Sequence, residues 1–240
     1  HARIVHSQAR GTVQGPNNIG GFIGQAWHQV IENDYSEATV SGDERVGGFI
    51  GYTIYGQLKD SESRATVTGN RSIGGFAGLL ENTALTGIYT QATVSGEEEF
   101  IGGIAGYAIS VHLERFTSNA VVTGSQSVSG AIGYAELTSI SNGLITGAIE
   151  SQSHYTGGVL GKGINVTMGN ITTDAHIDGT YYVGGVIGRG DEDITINNAT
   201  NKNMVHGSGY VGGIAGYLYQ YNHMSNLQNQ AEIRGRYSVG

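Results

Sequence analysis

Tyrosines in the second half of the chain are the side chains whose spacing best suits ligand binding. Three of them stand two residues before a Gly-Gly pair, and three more follow the last such pair closely. Exposed tyrosines in a row offer apolar ring faces together with hydroxyls, a combination that suits contact with sugar rings. The other interpretation is a stacked aromatic ladder that stabilises neighbouring turns. The six candidate binding residues are Tyr155, Tyr182, Tyr210, Tyr217, Tyr219 and Tyr221.

Acidic side chains form three short runs, at Asp43–Glu44, Glu97–Glu99 and Asp191–Asp193. Carboxylates bind hard cations and serve in polysaccharide cleavage, so a β-helix lyase or hydrolase is one alternative function. The first two runs lie two repeats apart and the third lies on a different segment, so no converging pair is predicted. The 8 histidines include no His-Glu-x-x-His motif and no clustered Ser-His-Asp spacing. The sequence therefore predicts no catalytic residue, no metal site and no cofactor.

Threonine and serine recur on one predicted strand of the first half, in pairs such as Thr39 with Ser41 and Thr66 with Thr68. A flat array of such side chains can match an ordered water lattice, which makes ice binding another alternative. Farther along the chain the same positions hold unlike residues such as Glu150, which would spoil a lattice. Threonine is also favoured on exposed strands, so the structural interpretation is preferred.

The composition indicates what kind of fold must position these side chains. Glycine supplies 41 of 240 residues, whereas proline appears once and cysteine not at all. Glycine without proline excludes a collagen-like chain, 38% hydrophobic residues argue against disorder, and evenly spaced glycines disfavour helices. The net charge of −8 disfavours nucleic acid and anionic membranes as partners. No apolar run is long enough to be inserted across a bilayer.

A repeat of 27 or 28 residues organises the whole chain. Its anchor reads apolar-Gly-Gly-apolar-apolar-Gly, as in Ile19–Gly24, and serine once replaces the first glycine. A second block, which runs from an apolar residue through Asn or Asp to a small-x-Val/Ile-x-Gly string, keeps a constant length. Insertions therefore fall in the turn before the anchor and after the last two anchors, as expected of strands and their connections. The first anchor positions are Gly20, Gly47, Gly74, Gly102, Ser129, Gly157, Gly184 and Gly212.

Three short strands per repeat predict a β-solenoid in which each repeat forms one coil. Alternation in Ala65–Thr68 places apolar residues inward and polar ones outward, and stacked coils put Val40 and Val67 in one core column. A propeller is the main rival, but its blades usually take about 40 residues or more. The predicted fold class is therefore all-β, with residues 1–240 forming a single parallel β-helix-like domain of about eight coils.

Stacking also predicts structural roles for glycine and asparagine. The anchor glycines either bend the strand or belong to a strand covered on both faces, and each coil needs them for positive φ or close backbone approach. Asn or Asp occupies 6 of 8 equivalent turns, where side-chain amides are expected to form a hydrogen-bond ladder. The predicted structural residues are Gly48, Gly51, Gly75, Gly78, Gly103, Gly106, Asn33, Asp60, Asn142, Asn170, Asn198 and Asn226.

Two of the anchors carry a family resemblance. The Gly-Gly-Phe-Ala-Gly of Gly74–Gly78 and the Gly-Gly-Ile-Ala-Gly of Gly102–Gly106, at this period, resemble the GLUG repeat of large secreted and surface-anchored bacterial proteins. Such repeats also occur in the non-catalytic part of immunoglobulin A-specific metallopeptidases. The resemblance covers essentially the whole chain and implies an exported bacterial protein, with the repeats serving as stalks or adhesin segments. No peptidase activity is carried over, because the zinc motif is missing.

These features predict a non-enzymatic segment of a secreted or cell-surface bacterial protein, acting as a rigid rod or display surface. Both ends fall within repeats and neither looks like a cap, so neighbouring repeats or domains of a longer chain are expected. Glycans or components of a host or neighbouring cell surface are the expected partners. A carbohydrate-binding adhesin that uses the tyrosines is the first alternative.

Overall fold

The chain winds into a β-solenoid. The computed structural model describes residues 3–240, in which every helix or strand element is a β-strand, and no helix there could cross a membrane. Each strand pairs in parallel with its counterpart 27 or 28 residues along, as Val67 pairs with Val94 and Ile73 with Ile101. The predicted fold class is confirmed. About nine turns are present, because residues before the first anchor add part of a turn to the eight predicted coils.

Thirty-two strands lie in residues 3–240. The first eleven are β1 (Arg3–Val5), β2 (Gln8–Gln14), β3 (Asn17–Gly20), β4 (Ile23–Trp27), β5 (Val30–Glu32), β6 (Tyr35–Ser41), β7 (Glu44–Gly47), β8 (Ile50–Ile54), β9 (Gln57–Lys59), β10 (Glu62–Ser63) and β11 (Thr66–Gly69). The next eleven are β12 (Arg71–Gly74), β13 (Ala77–Glu81), β14 (Ala84–Thr90), β15 (Thr93–Gly96), β16 (Glu99–Gly102), β17 (Ala105–Ile109), β18 (His112–Ser118), β19 (Val121–Gly124), β20 (Gln126–Ser129), β21 (Ile132–Ile145) and β22 (Ala148–Ser151). The last ten are β23 (His154–Gly157), β24 (Leu160–Thr173), β25 (His176–Asp178), β26 (Tyr181–Gly184), β27 (Ile187–Asn201), β28 (Val205–His206), β29 (Val211–Gly212), β30 (Ala215–Gln220), β31 (His223–Asn229) and β32 (Ile233–Arg234).

Each turn contains five strand segments, where the sequence predicted three strands. One segment per turn ends at the first anchor position, and these segments form an eight-stranded sheet of β3, β7, β12, β16, β20, β23, β26 and β29. The other 24 strands form the second sheet. In β21, β24 and β27, three segments run together as one strand.

Left-handed corners separate the extra segments. Positive φ occurs at 24 non-glycine residues of the described chain, in three columns that recur once per turn. The anchor corner holds Asn18, Arg45, Ser72, Phe100, Ser127, Tyr155, Tyr182 and Ser238. The middle corner holds His28, Tyr55, Asn82, Ser110, Leu137, Asn165, Asp193 and Tyr221. The asparagine corner holds His6, Asn33, Asp60, Gly87, Arg115, Asn142, Asn170, Asn198 and Asn226.

The anchor glycines bend the chain between the two sheets. Strand β12 ends at Gly74 and β13 begins at Ala77, so the glycine pair bends the chain rather than continuing a covered strand. A Cβ on Gly75 would lie 2.3 Å from the carbonyl oxygen of Gly103, and one on Gly78 would lie 2.3 Å from the carbonyl carbon of Arg45. Close backbone approach, rather than positive φ, therefore requires these glycines. Comparable contacts below 2.5 Å surround Gly48, Gly51, Gly103 and Gly106.

The interior contains an apolar column and a polar column. The predicted valine column is fully buried, with Val40, Val67 and Val94 each at 0% exposure. The polar column was not predicted. The Ser36 hydroxyl donates to the carbonyl oxygen of Gly48, and the Ser63 hydroxyl donates to its counterpart one turn later, each at 2.6 Å. These hydroxyls satisfy carbonyl groups that the glycine bend turns into the interior.

Candidate functional site

The glycine bend brings two outward columns side by side. A Cβ on Gly188 would lie 2.6 Å from the backbone nitrogen of Thr156 and 2.8 Å from the carbonyl carbon of Tyr155. No side chain fits into that contact. The residue that follows the third glycine of each anchor therefore lies beside the anchor corner. Arg189 thereby lies 5.4 Å from the ring centroid of Tyr155. The two columns form an aromatic strip of Phe100, Tyr107, Tyr134, Tyr155, Lys162, Tyr182, Arg189, Tyr210 and Tyr217.

Four of the six predicted binding tyrosines lie together in the strip. The ring centroids of Tyr155 and Tyr182 are 5.6 Å apart, and those of Tyr182 and Tyr210 are 5.1 Å apart with planes only 3° from parallel. Tyr217 meets Tyr182 edge-on at 5.4 Å. Both faces of Tyr182 are therefore covered by other tyrosines. This arrangement favours the ladder interpretation, because the rings direct edges rather than flat faces toward a ligand.

The other two predicted tyrosines lie apart from the strip. Tyr219 is 60% exposed and Tyr221 is 75% exposed. Neither ring contacts another aromatic ring in residues 3–240. Tyr219 shares the outward face of β30 with Tyr217 but lies two residues farther along the strand, and Tyr221 lies at the next corner, so neither ring joins the strip.

Two cations lie between the rings and share one carboxylate. Arg189 Nε donates to Oδ1 of Asp191, and Lys162 Nζ lies 3.1 Å from Oδ2 of the same side chain. Burial disfavours the charge of Arg189, but the hydrogen bond and the negative charge of Asp191 outweigh it and raise the pKa of the guanidinium. The cations are thus largely neutralised within the strip, where they serve mainly to hold rings together.

Asp191 reaches the strip because it is an inserted residue. Gly163 pairs with Gly190 and Ile164 then pairs with Glu192, which leaves Asp191 without a partner on the neighbouring strand. Such a β-bulge redirects a side chain. The sequence predicted an insertion in this segment. The strand pairing shows that the inserted residue supplies the counter-ion of the two cations.

The strip continues toward the first coils as a second group of rings. Phe100 lies 5.4 Å from Tyr107 and 5.2 Å from Tyr134, centroid to centroid. Arg71 covers Phe100 with its guanidinium carbon 5.3 Å from the ring centroid. Burial is the main reason that the pKa of Tyr134 rises to about 12. The phenol of Tyr134 therefore stays protonated well above neutral pH.

The predicted acidic runs lie at separate places. Glu44 pairs with Arg45 at 3.5 Å, and Glu99 pairs with Arg71 at 2.7 Å, whereas Asp191 belongs to the strip. Between residues 3 and 240, no group of three or more His, Cys, Asp or Glu side chains could hold a metal ion. The lack of enzymatic activity remains a prediction.

The threonine array extends over part of the solenoid. Thr12, Thr39, Thr66 and Thr93 pair in register on neighbouring turns, and all four are exposed. Val121 takes the same position on the next turn and ends the column. This column therefore covers four coils, while the neighbouring column continues from Ser95 to Thr123, and ice binding remains a prediction.

The asparagine corner uses side chains that tolerate a left-handed backbone. The φ angles of its six predicted members lie between 44° and 59°, a region that Asn and Asp enter more readily than most residues. Nδ2 of Asn170 donates to Oδ1 of Asn142 at 3.0 Å, and Nδ2 of Asn198 donates to Oδ1 of Asn170 at 2.7 Å. Asn226 donates to a different asparagine, so the ladder of equivalent positions joins three turns.

Aromatic rings also occupy the middle corner of the first coils, and the sequence did not single them out. His28 stacks on Tyr55 with ring centroids 4.8 Å apart, and Trp27 stacks beside His28 at 5.9 Å. Trp27 is 62% exposed and Tyr55 is 48% exposed. Beyond Tyr55 the corner holds Asn82 and Ser110, so the ring stack ends at an open trough. His28 and Tyr55 both stand 8 residues after the first glycine of their anchors. This shared position in the repeat could have identified the group from the sequence.

No family model matches the chain, and no curated protein matches it. The resemblance to the GLUG repeat therefore remains a prediction.

Proposed function

We propose that the chain is a non-enzymatic structural segment of a secreted or cell-surface bacterial protein, where it forms a rigid rod or display surface. The observation that carries the proposal is the parallel, in-register pairing of each turn with the next in all five segment columns. Bending such a rod would have to shear several hydrogen-bonded columns at once. The exported bacterial setting rests on the GLUG resemblance.

The bends contribute to this rigidity as well as the strands. The backbone nitrogen of Gly48 donates to the carbonyl oxygen of Gly74 at 3.1 Å, and the nitrogen of Phe49 donates to the oxygen of Phe76 at 2.9 Å. Adjacent turns are therefore bonded through the glycine bend, where a loop would otherwise form a weak point. The interior hydroxyls of Ser36 and Ser63 add bonds to two other carbonyl groups of the bend, those of Gly48 and Gly75.

Pulling the chain from its two ends in single-molecule force spectroscopy tests the rod role. Each turn that opens should release 27 or 28 residues, or about 9 nm of chain. We expect repeated force peaks separated by this length, because each turn is held by its neighbours. A chain that extends without measurable resistance under native conditions would contradict the proposal, and the same chain in denaturant provides the baseline.

Carbohydrate binding by the predicted tyrosines is the second candidate function. The stack of Tyr155, Tyr182 and Tyr210 supports it less than the rod role, because the ring faces cover one another. A glycan array with the parent chain and a Tyr155/Tyr182/Tyr210 triple Ala variant separates the two. Loss of a glycan signal in the variant would favour the adhesin.

A further inference from the structure

An open trough interrupts the middle corner column between two large side chains. Tyr55 forms one wall and Leu137 the other, and a volume of about 430 Å³ lies between them. The two turns between the walls place Asn82 and Ser110 at the same corner. Because neighbouring turns lie about 4.8 Å apart, the walls are roughly 14 Å apart. Two levels of the column are thus open to a ligand.

One wall of the trough is an aromatic face. His28 covers one side of the Tyr55 ring at 4.8 Å, and the other side borders the trough. Leu137, at 57% exposure, offers apolar surface at the opposite end. The arrangement contrasts with Tyr182, whose two faces are both covered. Tyr55 can therefore receive a flat apolar face of a ligand, as Tyr182 cannot.

The floor of the trough supplies hydrogen-bonding groups without charge. In the described residues, neither the side-chain amide of Asn82 nor the hydroxyl of Ser110 has a hydrogen-bond partner in the protein. His112, which also borders the trough, bonds to Ser139 through Nδ1 at 2.6 Å. The lining includes no Asp, Glu, Lys or Arg. Uncharged donors and acceptors beside an aromatic face suit a neutral, hydroxyl-rich ligand.

The walls of the trough share the left-handed backbone of the whole middle corner. The middle corner takes asparagine at Asn82 and Asn165, residues suited to its left-handed conformation. Tyr55 and Leu137 hold the same conformation, with φ of 55° and 50°. Asn enters this region more readily than bulky residues do, so the shared left-handed backbone is less favourable for Tyr55 and Leu137 than for Asn82. Both walls of the trough are therefore built at positions where a smaller polar residue would fit the backbone better.

We propose that the trough binds a neutral glycan, with one pyranose ring lying on the free face of Tyr55. The C–H face of the sugar covers the aromatic ring, and its hydroxyls bond to the Asn82 amide and the Ser110 hydroxyl. Leu137 bounds the far end of the bound segment. The site is separate from the aromatic strip, and the proposal goes beyond the rod role because it requires no resistance to force.

Ligand-observed NMR titration of the 240-residue chain tests the site. The probes are three neutral tetrasaccharides, cellotetraose, maltotetraose and mannotetraose, and the anionic tetragalacturonate. We expect at least one neutral probe to bind with a Kd near or below about 1 mM, a weak affinity that one aromatic face can support. Tetragalacturonate should bind more weakly than that probe, because no Lys or Arg lines the trough and the bordering His112 lies 3.7 Å from the Glu114 carboxylate.

Variants of two tyrosines at the middle corner, one in the trough and one outside it, provide a matched comparison. Tyr55→Asn removes the aromatic face and places a residue that suits the left-handed backbone, so the fold should survive. It should weaken binding at least about tenfold, whereas Tyr55→Phe, which keeps the ring, should not. Tyr221→Asn makes the same change at the same corner outside the trough and should leave the affinity unchanged.

Three outcomes would overturn the proposal. One is that no neutral tetrasaccharide binds the parent chain. Another is that Tyr55→Asn binds as tightly as the parent while circular dichroism shows an intact fold. The third is that Tyr221→Asn weakens binding as much as Tyr55→Asn. None of these outcomes bears on the rod role, which force spectroscopy measures separately.

Discussion

The two ends of the solenoid use aromatic side chains in opposite ways. In the later coils, Tyr155, Tyr182 and Tyr210 follow one another without a gap and cover each other's faces. In the first coils, the stack stops at Tyr55 because Asn82 follows it. The first arrangement is closed and the second is open. A column of rings at the spacing of the turns is therefore a structural ladder, and an interruption in such a column creates a surface for a ligand.

The neighbouring charges follow the same division. The closed stack holds Arg189 and Lys162 against its rings, with Asp191 as their shared partner. The lining at the open end includes no Asp, Glu, Lys or Arg. Cations between rings add cohesion to a stack, whereas a neutral floor avoids the desolvation cost of charge when a ligand covers it. The number of aromatic residues in a region is thus a poor guide to binding.

The largest expected effect concerns the bend that holds the closed stack. Gly188→Ala should destabilise the fold by more than about 3 kcal/mol, because its Cβ would lie 2.6 Å from the backbone nitrogen of Thr156. Gly24→Ala, at the same anchor position in the first coil, should change stability by less than about 1 kcal/mol, since its Cβ approaches only the Asn18 oxygen, at 3.0 Å. Urea unfolding measures both. Equal losses would show that the contact does not decide stability.

Filling the gap should convert the open end into a closed stack. Asn82→Tyr places a ring one turn beyond Tyr55, and we expect neutral tetrasaccharide binding to fall at least about tenfold. The added ring pair should contribute about 0.5–1.5 kcal/mol, and the left-handed backbone at Asn82 should offset part of that gain. NMR titration and thermal unfolding check the two effects. Undiminished binding would place the ligand elsewhere.

Removing a ring should affect stability in the closed stack more than outside it. Tyr182 contacts Tyr155, Tyr210 and Tyr217, so Tyr182→Asn should cost about 1–2 kcal/mol. Tyr221→Asn should cost close to nothing, because that ring is 75% exposed and its corner suits asparagine. Chemical denaturation of both variants measures the difference. Similar values would mean that the stack adds no cohesion.

The smallest expected effect is a difference between two phenols at alkaline pH. The pKa of Tyr52, in the second coil, and that of Tyr134, in the strip, both rise to about 12, mainly through burial. The pKa of each phenol in the folded protein exceeds the ordinary value of 10.0. The stability that the protonated phenols contribute is therefore complete below pH 10 and is lost as the pH rises toward 12. The Tyr52 hydroxyl also donates to Glu81 at 2.8 Å. Glu81→Gln should therefore lower the pKa of Tyr52 alone.

Tyrosine ring-carbon NMR shifts followed from pH 9 to 12.5 would resolve the two phenols in this titration. A change of equal size in the pKa of Tyr134 would contradict the assignment of the Glu81 contribution. An unchanged pKa for Tyr52 would show that burial alone sets its value. Tyr52→Phe identifies the resonance and serves as the control.

The glycine pattern predicted the solenoid, but not the number of its bends. Close packing leaves no room for a side chain at Gly75 or Gly103, so the same residue recurs on every turn and the period is visible in the sequence. The middle corner accepts residues as different as Tyr55 and Leu137, because coil stacking holds its backbone from both sides. Without a fixed residue type, that corner left no pattern, and the sequence predicted fewer strands than the turn contains.

The two candidate sites also differ in how far the sequence could predict them. Tyr155, Tyr182 and Tyr210 share one phase of the repeat, so their common column could be predicted. Whether their faces are open depends on ring orientation, which the phase does not determine. The trough beside Tyr55 depends on the small size of residues one and two turns away. Such a site is a property of the gap between repeats rather than of any single motif.

The left-handed corners also allow the surface to change independently of the fold. Side chains at the middle and asparagine corners are mostly exposed, and their backbone conformation is shared by residues of many types. Replacing one of them alters a single point of a regular grid, whose rows are spaced about 4.8 Å apart. The solenoid is therefore a scaffold on which engineered series of unlike side chains could be displayed at known intervals, with the buried valine column left intact.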